Sequence, residues 1–287
     1  MYSFKKKICN YFLKIIDFYS HLRFGKSLDS NLEGIKFINN FLEKENIPKQ
    51  LKFEIYKEIS DRKKRYKNTE TENIFIFRYE KYLEINNWVK KIIKNNNSLF
   101  SKLANEVTTN VCEISKIDIL VNFGIEGAPE KKLSGSALYH RDQDSIVRYA
   151  KIFIPLIFDN CLGSETSFIS KKDIPDYIYL VPKESRSNLS DWNKERIEDD
   201  QIISFTKKTI DKVAKIISME KIAAFDCTRI YHAGGYISNS KGVRVILQLS
   251  YATKSPANFK NDFGKLDIFL LGGFFKVLRF LQIKVYK

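Results

Sequence analysis

Histidine is scarce in this chain: three occur in 287 residues, at His21, His140 and His232. Any site built from imidazoles therefore has few candidates. Cysteine is almost as thin. Cys9, Cys112, Cys161 and Cys227 stand far apart and form no Cys-x-x-Cys pair, which excludes a zinc knuckle, a redox dithiol and a disulfide framework and points to a reducing cytosol. Long apolar runs are missing too. The apolar positions near the N-terminus are interrupted by Lys14, Asp17 and His21, so neither a secretory segment nor a spanning helix is expected. Basic residues are scattered and no recognised nucleic-acid motif occurs, so nucleic acid is not an expected partner.

What is present describes a globular chain. Hydrophobic residues make up 44% and aromatic residues 14%, enough for a sizeable core in one large domain or a core domain with an accessory part. Lys and Arg number 49 against 34 Asp and Glu, a formal net charge of +15. Such a field attracts phosphates, anionic lipid surfaces or acidic substrates, although solvated lysines spread by compositional bias give the same sum.

Residues 1–110 read as a helical N-terminal region packing on the core. Leu51, Ile55 and Ile59 recur at helical spacing, Trp88, Ile92 and Ile93 repeat it, and Pro48 suits the start of the first of these helices. Asn95-Asn96-Asn97 predicts a break before a shorter helix over 98–107. From residue 111 to 257 the pattern changes to short strand-like runs, at 117–123, 136–142, 150–157, 166–169, 177–181, 223–227 and 243–251. Many short strands with polar punctuation predict a mainly β core, either a β-sandwich or a jelly roll. One helix is expected near 206–219, and the polar stretch 182–200 reads as a long loop able to cover a site. Residues 258–287 form a basic aromatic C-terminal segment, with Phe274, Phe275, Leu278, Phe280 and Leu281 among Lys276, Arg279, Lys284 and Lys287. It suits either packing onto the N-terminal helices or peripheral contact with an anionic membrane.

On a strand, residues i and i+2 share a face, so His140 and Asp142 can reach one ion while Arg141 points away. His232 follows 92 residues later, after a predicted strand and a turn. Two histidines and a carboxylate that leave positions open form the ligand set of non-haem Fe(II) oxygenases. His-x-Asp alone is a weak signal, since a lone histidine on a strand is more often structural. The strand Val243 to Tyr251 adds to it. Val243, Val245, Leu247 and Leu249 fall on one face, and Arg244 joins Ile246, Gln248 and Ser250 on the other. A buried guanidinium needs an anion and binds a carboxylate with two parallel hydrogen bonds. Either an internal Asp or Glu or a bound dicarboxylate would serve.

In order and spacing, Tyr139-His140-Arg141-Asp142-Gln143-Asp144, Lys151-Ile152-Phe153-Ile154-Pro155-Leu156, Gly163, Phe168-Ile169, Ala224-Phe225-Asp226, His232-Ala233-Gly234-Gly235 and Arg244 resemble one family. It is the Fe(II)- and 2-oxoglutarate-dependent dioxygenases of the phytanoyl-CoA hydroxylase-like group, matched over about 132–252. The resemblance implies a double-stranded β-helix core, with His140, Asp142 and His232 as iron ligands and Arg244, twelve residues past His232, gripping the cosubstrate 2-oxoglutarate. Lys151 matches a lysine often seen in the group. It is either a second candidate for an anionic cosubstrate or substrate, or a plain surface lysine. Asp226, Asp144 and Tyr139 are candidates to orient the imidazoles. Two departures stand out. Ser170-Lys171-Lys172 replaces a common Pro-Gly-Ser-His turn, and Ser250 stands where the DNA-repair branch has a second arginine.

The implied activity is cytoplasmic hydroxylation of a C–H bond, with release of succinate and carbon dioxide. The prime substrate would be small or lipid-linked, with phosphate, acyl-CoA, nucleotide-sugar and membrane glycolipid compounds among the anionic candidates. The competing readings are a catalytically inactive jelly-roll binding module and, resting on charge alone, a nucleic-acid-binding protein.

Overall fold

The computed structural model describes residues 33–43, 46–65, 73–125, 139–140, 142, 149–161, 165–170, 173 and 214–253, with isolated positions at 14, 18 and 212. The predicted strand at 177–181, the loop at 182–200 and the C-terminal segment lie outside these residues, as do Asp144 and most of the helix expected at 206–219.

Among the described residues, nine strands form two antiparallel sheets. The larger runs β1 (Ile35–Asn39), β7 (Lys221–Asp226), β4 (Tyr149–Asp159), β9 (Val243–Thr253), β3 (Cys112–Phe123) and β2 (Ile74–Phe77), in that spatial order. The smaller runs β6 (Ala214–Ile216), β5 (Ser167–Ile169) and β8 (Tyr231–Ala233). His140 extends the smaller sheet by an antiparallel bridge to His232 on β8. From β3 onward the chain therefore visits the larger sheet, the smaller at His140, the larger at β4, the smaller at β5 and β6, then the larger, smaller and larger again at β7, β8 and β9. This winding is the double-stranded β-helix, or jelly roll.

The alternation along β9 separates two cores. Val243, Val245, Leu247, Leu249 and Tyr251 pack with helix residues in one cluster. Ile246, on the opposite face, packs with Phe153, Phe168, Phe225 and Ile230 in a second cluster between the sheets. The helices belong to the first. Helix α1 (Lys49–Arg65) buries Leu51, Ile55 and Ile59 as its spacing predicts. Helix α2 (Leu83–Thr108) lies against β7, β4 and β3. A turn in which the Gly242 N–H donates to the Asn239 carbonyl at 2.8 Å leads into β9. A Cβ at Gly242 would lie 2.3 Å from Ile237 Cγ2 and 2.9 Å from the Asn160 carbonyl oxygen, so the close approach that sets the start of β9 requires glycine.

Three expectations are corrected. Asn95-Asn96-Asn97 does not break a helix, because α2 runs through it unbroken over 26 residues. The buried stripe Ile85, Val89, Ile92, Phe100, Leu103, Val107 continues on either side of the three asparagines. They sit on the outward part of the helix, where Asn96 Nδ2 donates back to the Ile92 carbonyl at 2.9 Å. The N-terminal region is not purely helical, since it supplies β1 and β2, which close opposite edges of the larger sheet. Residues 214–216, expected in a helix, form strand β6 paired with β5. No helix among the described residues is long and apolar enough to cross a membrane.

Candidate metal centre

His140, Asp142 and His232 converge between the sheets, with one ligand atom from each lying within 4.8 Å of the others. Their placement comes from the backbone. The His140 N–H donates to the His232 carbonyl at 3.0 Å and the His232 N–H donates to the His140 carbonyl at 2.9 Å. Such a hydrogen-bonded antiparallel pair puts both side chains on one face, and the two ring centroids stand 4.4 Å apart. Two residues on, the Asp142 N–H donates to the Cys227 carbonyl at 3.0 Å, which ties the segment to the end of β7.

Asp142 Oδ1 lies 3.8 Å from Nε2 of His140 and 3.8 Å from Nε2 of His232. Its other oxygen, Oδ2, meets Lys151 Nζ at 2.6 Å. Burial alone would raise the Asp142 pKa, but His232, Lys151 and His140 outweigh it and hold the carboxyl well below the usual range. The Lys151 ammonium is stabilised in turn: burial opposes its charge, and the Asp142 carboxylate more than restores it. Two imidazoles and one ionised carboxylate facing one point are a donor set for a divalent first-row ion that keeps positions open. His140, Asp142 and His232 would hold such an ion with one donor atom each.

His232 is oriented by a main-chain acceptor, with Nδ1 facing the Ile230 carbonyl at 3.3 Å. A proton on Nδ1 leaves the Nε2 lone pair for a metal. Asp226 works through the turn. Its carboxylate accepts from the Thr228 N–H at 3.0 Å and from the Thr228 hydroxyl, and its carbonyl accepts from Ile230 N–H at 2.8 Å. It thus shapes the link that delivers His232 from β7 to β8. The Tyr139 hydroxyl accepts from Ser167 Oγ at 2.9 Å, joining the His140 segment to β5. Sequence reading missed Ile230, because a carbonyl acceptor has no residue code.

One wall of the centre is aromatic. The Phe225 and Phe168 rings lie 4.9 and 6.4 Å from His232, and Phe153 meets Phe225 edge-on at 5.0 Å. Phe168 and Phe225 are fully buried. This wall keeps water from one side of the imidazoles and strengthens the electrostatics beside it.

The other predicted residues line the inter-sheet face of the larger sheet. Lys151 is no surface lysine: it sits across from Phe225 on β7 and Ser250 on β9, with its side chain about one-fifth exposed. Arg244 lies six positions back along β9, across from Asn122 and Phe158, and is 3% exposed. The Asn122 side-chain amide meets its guanidinium. Burial pulls the Arg244 pKa down to about 10, with Cys161 and Glu165 opposing the shift. It remains a cation at neutral pH.

No protein-family model matches the chain, and no curated protein matches it. Among solved structures it is similar to the non-haem alpha-ketoglutarate-dependent carbocyclase SnoK from nogalamycin biosynthesis, at 16% identity over 82% of this chain and 86% of that one, with a TM-score of 0.43. It is similar to the epimerase SnoN in complex with Fe3+, alpha ketoglutarate and nogalamycin RO, at 12% identity over 78% and 82% of the two chains, TM-score 0.45. A third similar structure is AviO1 from Streptomyces viridochromogenes Tue57, at 12% identity over 83% and 96%, TM-score 0.43.

Proposed function

We propose that this chain is an Fe(II)- and 2-oxoglutarate-dependent oxygenase that hydroxylates a C–H bond of a small or lipid-linked metabolite. The observation that carries the reading is the convergence of His140, Asp142 and His232 on one point, on the same inter-sheet space that Arg244 faces. The ordered motifs shared with the phytanoyl-CoA hydroxylase-like group support it. Bound Fe(II) supplies the oxygen-activating chemistry, and the overall balance is 2-oxoglutarate, O2 and R–H giving succinate, CO2 and R–OH.

The residues of the chain do the rest. His140 and His232 present Nε2 donors, and the bridge between their backbones fixes their spacing. Asp142 presents Oδ1 as the anionic donor. Arg244, rigid and charged, takes the distal carboxylate of 2-oxoglutarate as a fork. Phe153, Phe168 and Phe225 exclude water from one side of the site. A basic chain draws in anionic compounds, and we favour a phosphate-bearing or lipid-linked prime substrate on that ground. The buried thiols of Cys112, Cys161 and Cys227 suit a reducing, cytoplasmic setting.

The test is iron-dependent, aerobic conversion of 2-oxoglutarate to succinate in the absence of prime substrate, a slow uncoupled turnover. The reading expects it in the wild type and its loss in Asp142→Asn. Equal succinate formation in both, or none in an iron-loaded wild type that holds 2-oxoglutarate, would remove the proposal.

A further inference from the structure

We infer that Lys151 is a positioning residue of the metal centre: its ammonium holds Oδ2 of Asp142, so that Oδ1 alone is offered to the ion. The inference rests on the metal-site reading above and adds to it a role for a residue that touches neither the ion nor the cosubstrate.

The geometry separates the two carboxylate oxygens. Oδ1 stands equidistant from the two imidazole nitrogens, 3.8 Å from each, where an ion between them would be met. Oδ2 is engaged at 2.6 Å by Lys151 Nζ. A carboxylate with both oxygens free can chelate one ion through both, and each oxygen so used takes a position from the open set. Lys151 prevents this by occupying one oxygen with a charge that repels the ion. The lysine is itself well fixed, since β4 is paired on both sides around it, to Phe225 on β7 and Ser250 on β9. Asp142 is held from the other direction by its N–H bond to the Cys227 carbonyl.

The same geometry argues against Lys151 as a grip for the distal carboxylate of 2-oxoglutarate. Its ammonium is at the metal ligand, whereas Arg244 stands six positions along β9 from the Ser250 that faces Lys151. The two cations occupy opposite ends of the inner face, one for the ion's carboxylate ligand and the other for the far end of a bound dicarboxylate.

The experiment loads the full-length wild type, Lys151→Met and Lys151→Arg with Mn(II) and counts metal-bound waters by water-proton relaxation, with 2-oxoglutarate affinity measured on the same samples. In Lys151→Met the released Oδ2 joins the ion and the count falls by about one. Lys151→Arg, which keeps a cation on Oδ2, retains the wild-type count. Should the Met variant not fold, Lys151→Gln, whose polar tip is shorter and neutral, takes its place with the same expected loss. An unchanged count in a folded Met or Gln variant overturns the inference. So does an unchanged count accompanied by a fall in 2-oxoglutarate affinity, which would make Lys151 an anion grip. A wild type that binds no Mn(II) overturns both this inference and the metal-site reading. Normal Mn(II) loading with no uncoupled succinate formation removes only the proposed reaction.

Discussion

His140 and His232 are main-chain partners: each donates its N–H to the other's carbonyl, at 3.0 and 2.9 Å. The spacing of the two metal donors is therefore built by peptide groups and does not depend on the imidazoles. His140→Ala and His232→Ala should each fold with wild-type circular dichroism and lose divalent-metal binding by at least about tenfold. Titration with Fe(II) or Co(II) under anaerobic conditions checks this. Unfolding of both variants would show that the rings themselves hold the sheet together.

Arg244 should govern the cosubstrate and leave the metal alone. Hydrogen bonds to charged groups are worth ~1.5–3 kcal/mol each, so Arg244→Met should weaken 2-oxoglutarate binding by on the order of a hundredfold. Its affinity for metal should stay at the wild-type value. Calorimetric titration of the metal-free variant with the metal, and then of the metal-loaded variant with 2-oxoglutarate, reads the two quantities in turn.

Phe168 is fully buried between the sheets, in ring contact with Phe225 at 4.8 Å and Phe37 at 5.9 Å. Phe168→Ala opens a cavity in the smaller core and should cost ~3–5 kcal/mol of stability. Phe53→Ala, at a side chain 66% exposed on α1, should change stability by no more than about 0.5 kcal/mol. Denaturant unfolding of the two variants compares them directly.

Burial raises the Cys227 thiol pKa well above its ordinary value, and the nearby Asp142 carboxylate adds to the shift while Lys151 opposes it. A raised pKa means less thiolate at any given pH, so Cys227 should resist alkylation at pH 8 in the folded chain and react once denatured. Peptide mass analysis after pulsed labelling identifies the site. Rapid labelling of native Cys227 would contradict its placement beneath Tyr149, whose carbonyl accepts from Sγ at 3.2 Å.

The jelly-roll core was legible in the sequence, and so was the set of side chains that the structure brings together between the sheets. His140 and Asp142 were readable because strand alternation puts i and i+2 on one face, and Arg244 because a charged residue shared a face with Ile246 in an otherwise apolar strand. Strands β1 and β2 were not readable: five and four residues long, they are too short to show a period against neighbouring helices, and they take strand form by pairing with β7 and β3. The Asn95 to Asn97 stretch misled because local preference for a break is outweighed by the apolar stripe that continues through Phe100 and Leu103. The pairing of Lys151 with Asp142 joins residues that the sequence spaces like any strand neighbours, and only the return of β4 beside β7 and β9 brings them together. The Ile230 acceptor was invisible for a different reason, since every residue has a carbonyl.

The most direct test of the central claim is anaerobic absorption spectroscopy of the chain with Fe(II), before and after 2-oxoglutarate is added. The account predicts a weak visible charge-transfer band that requires both components and is absent from Asp142→Asn. No cosubstrate-dependent band in an iron-loaded wild type would contradict it.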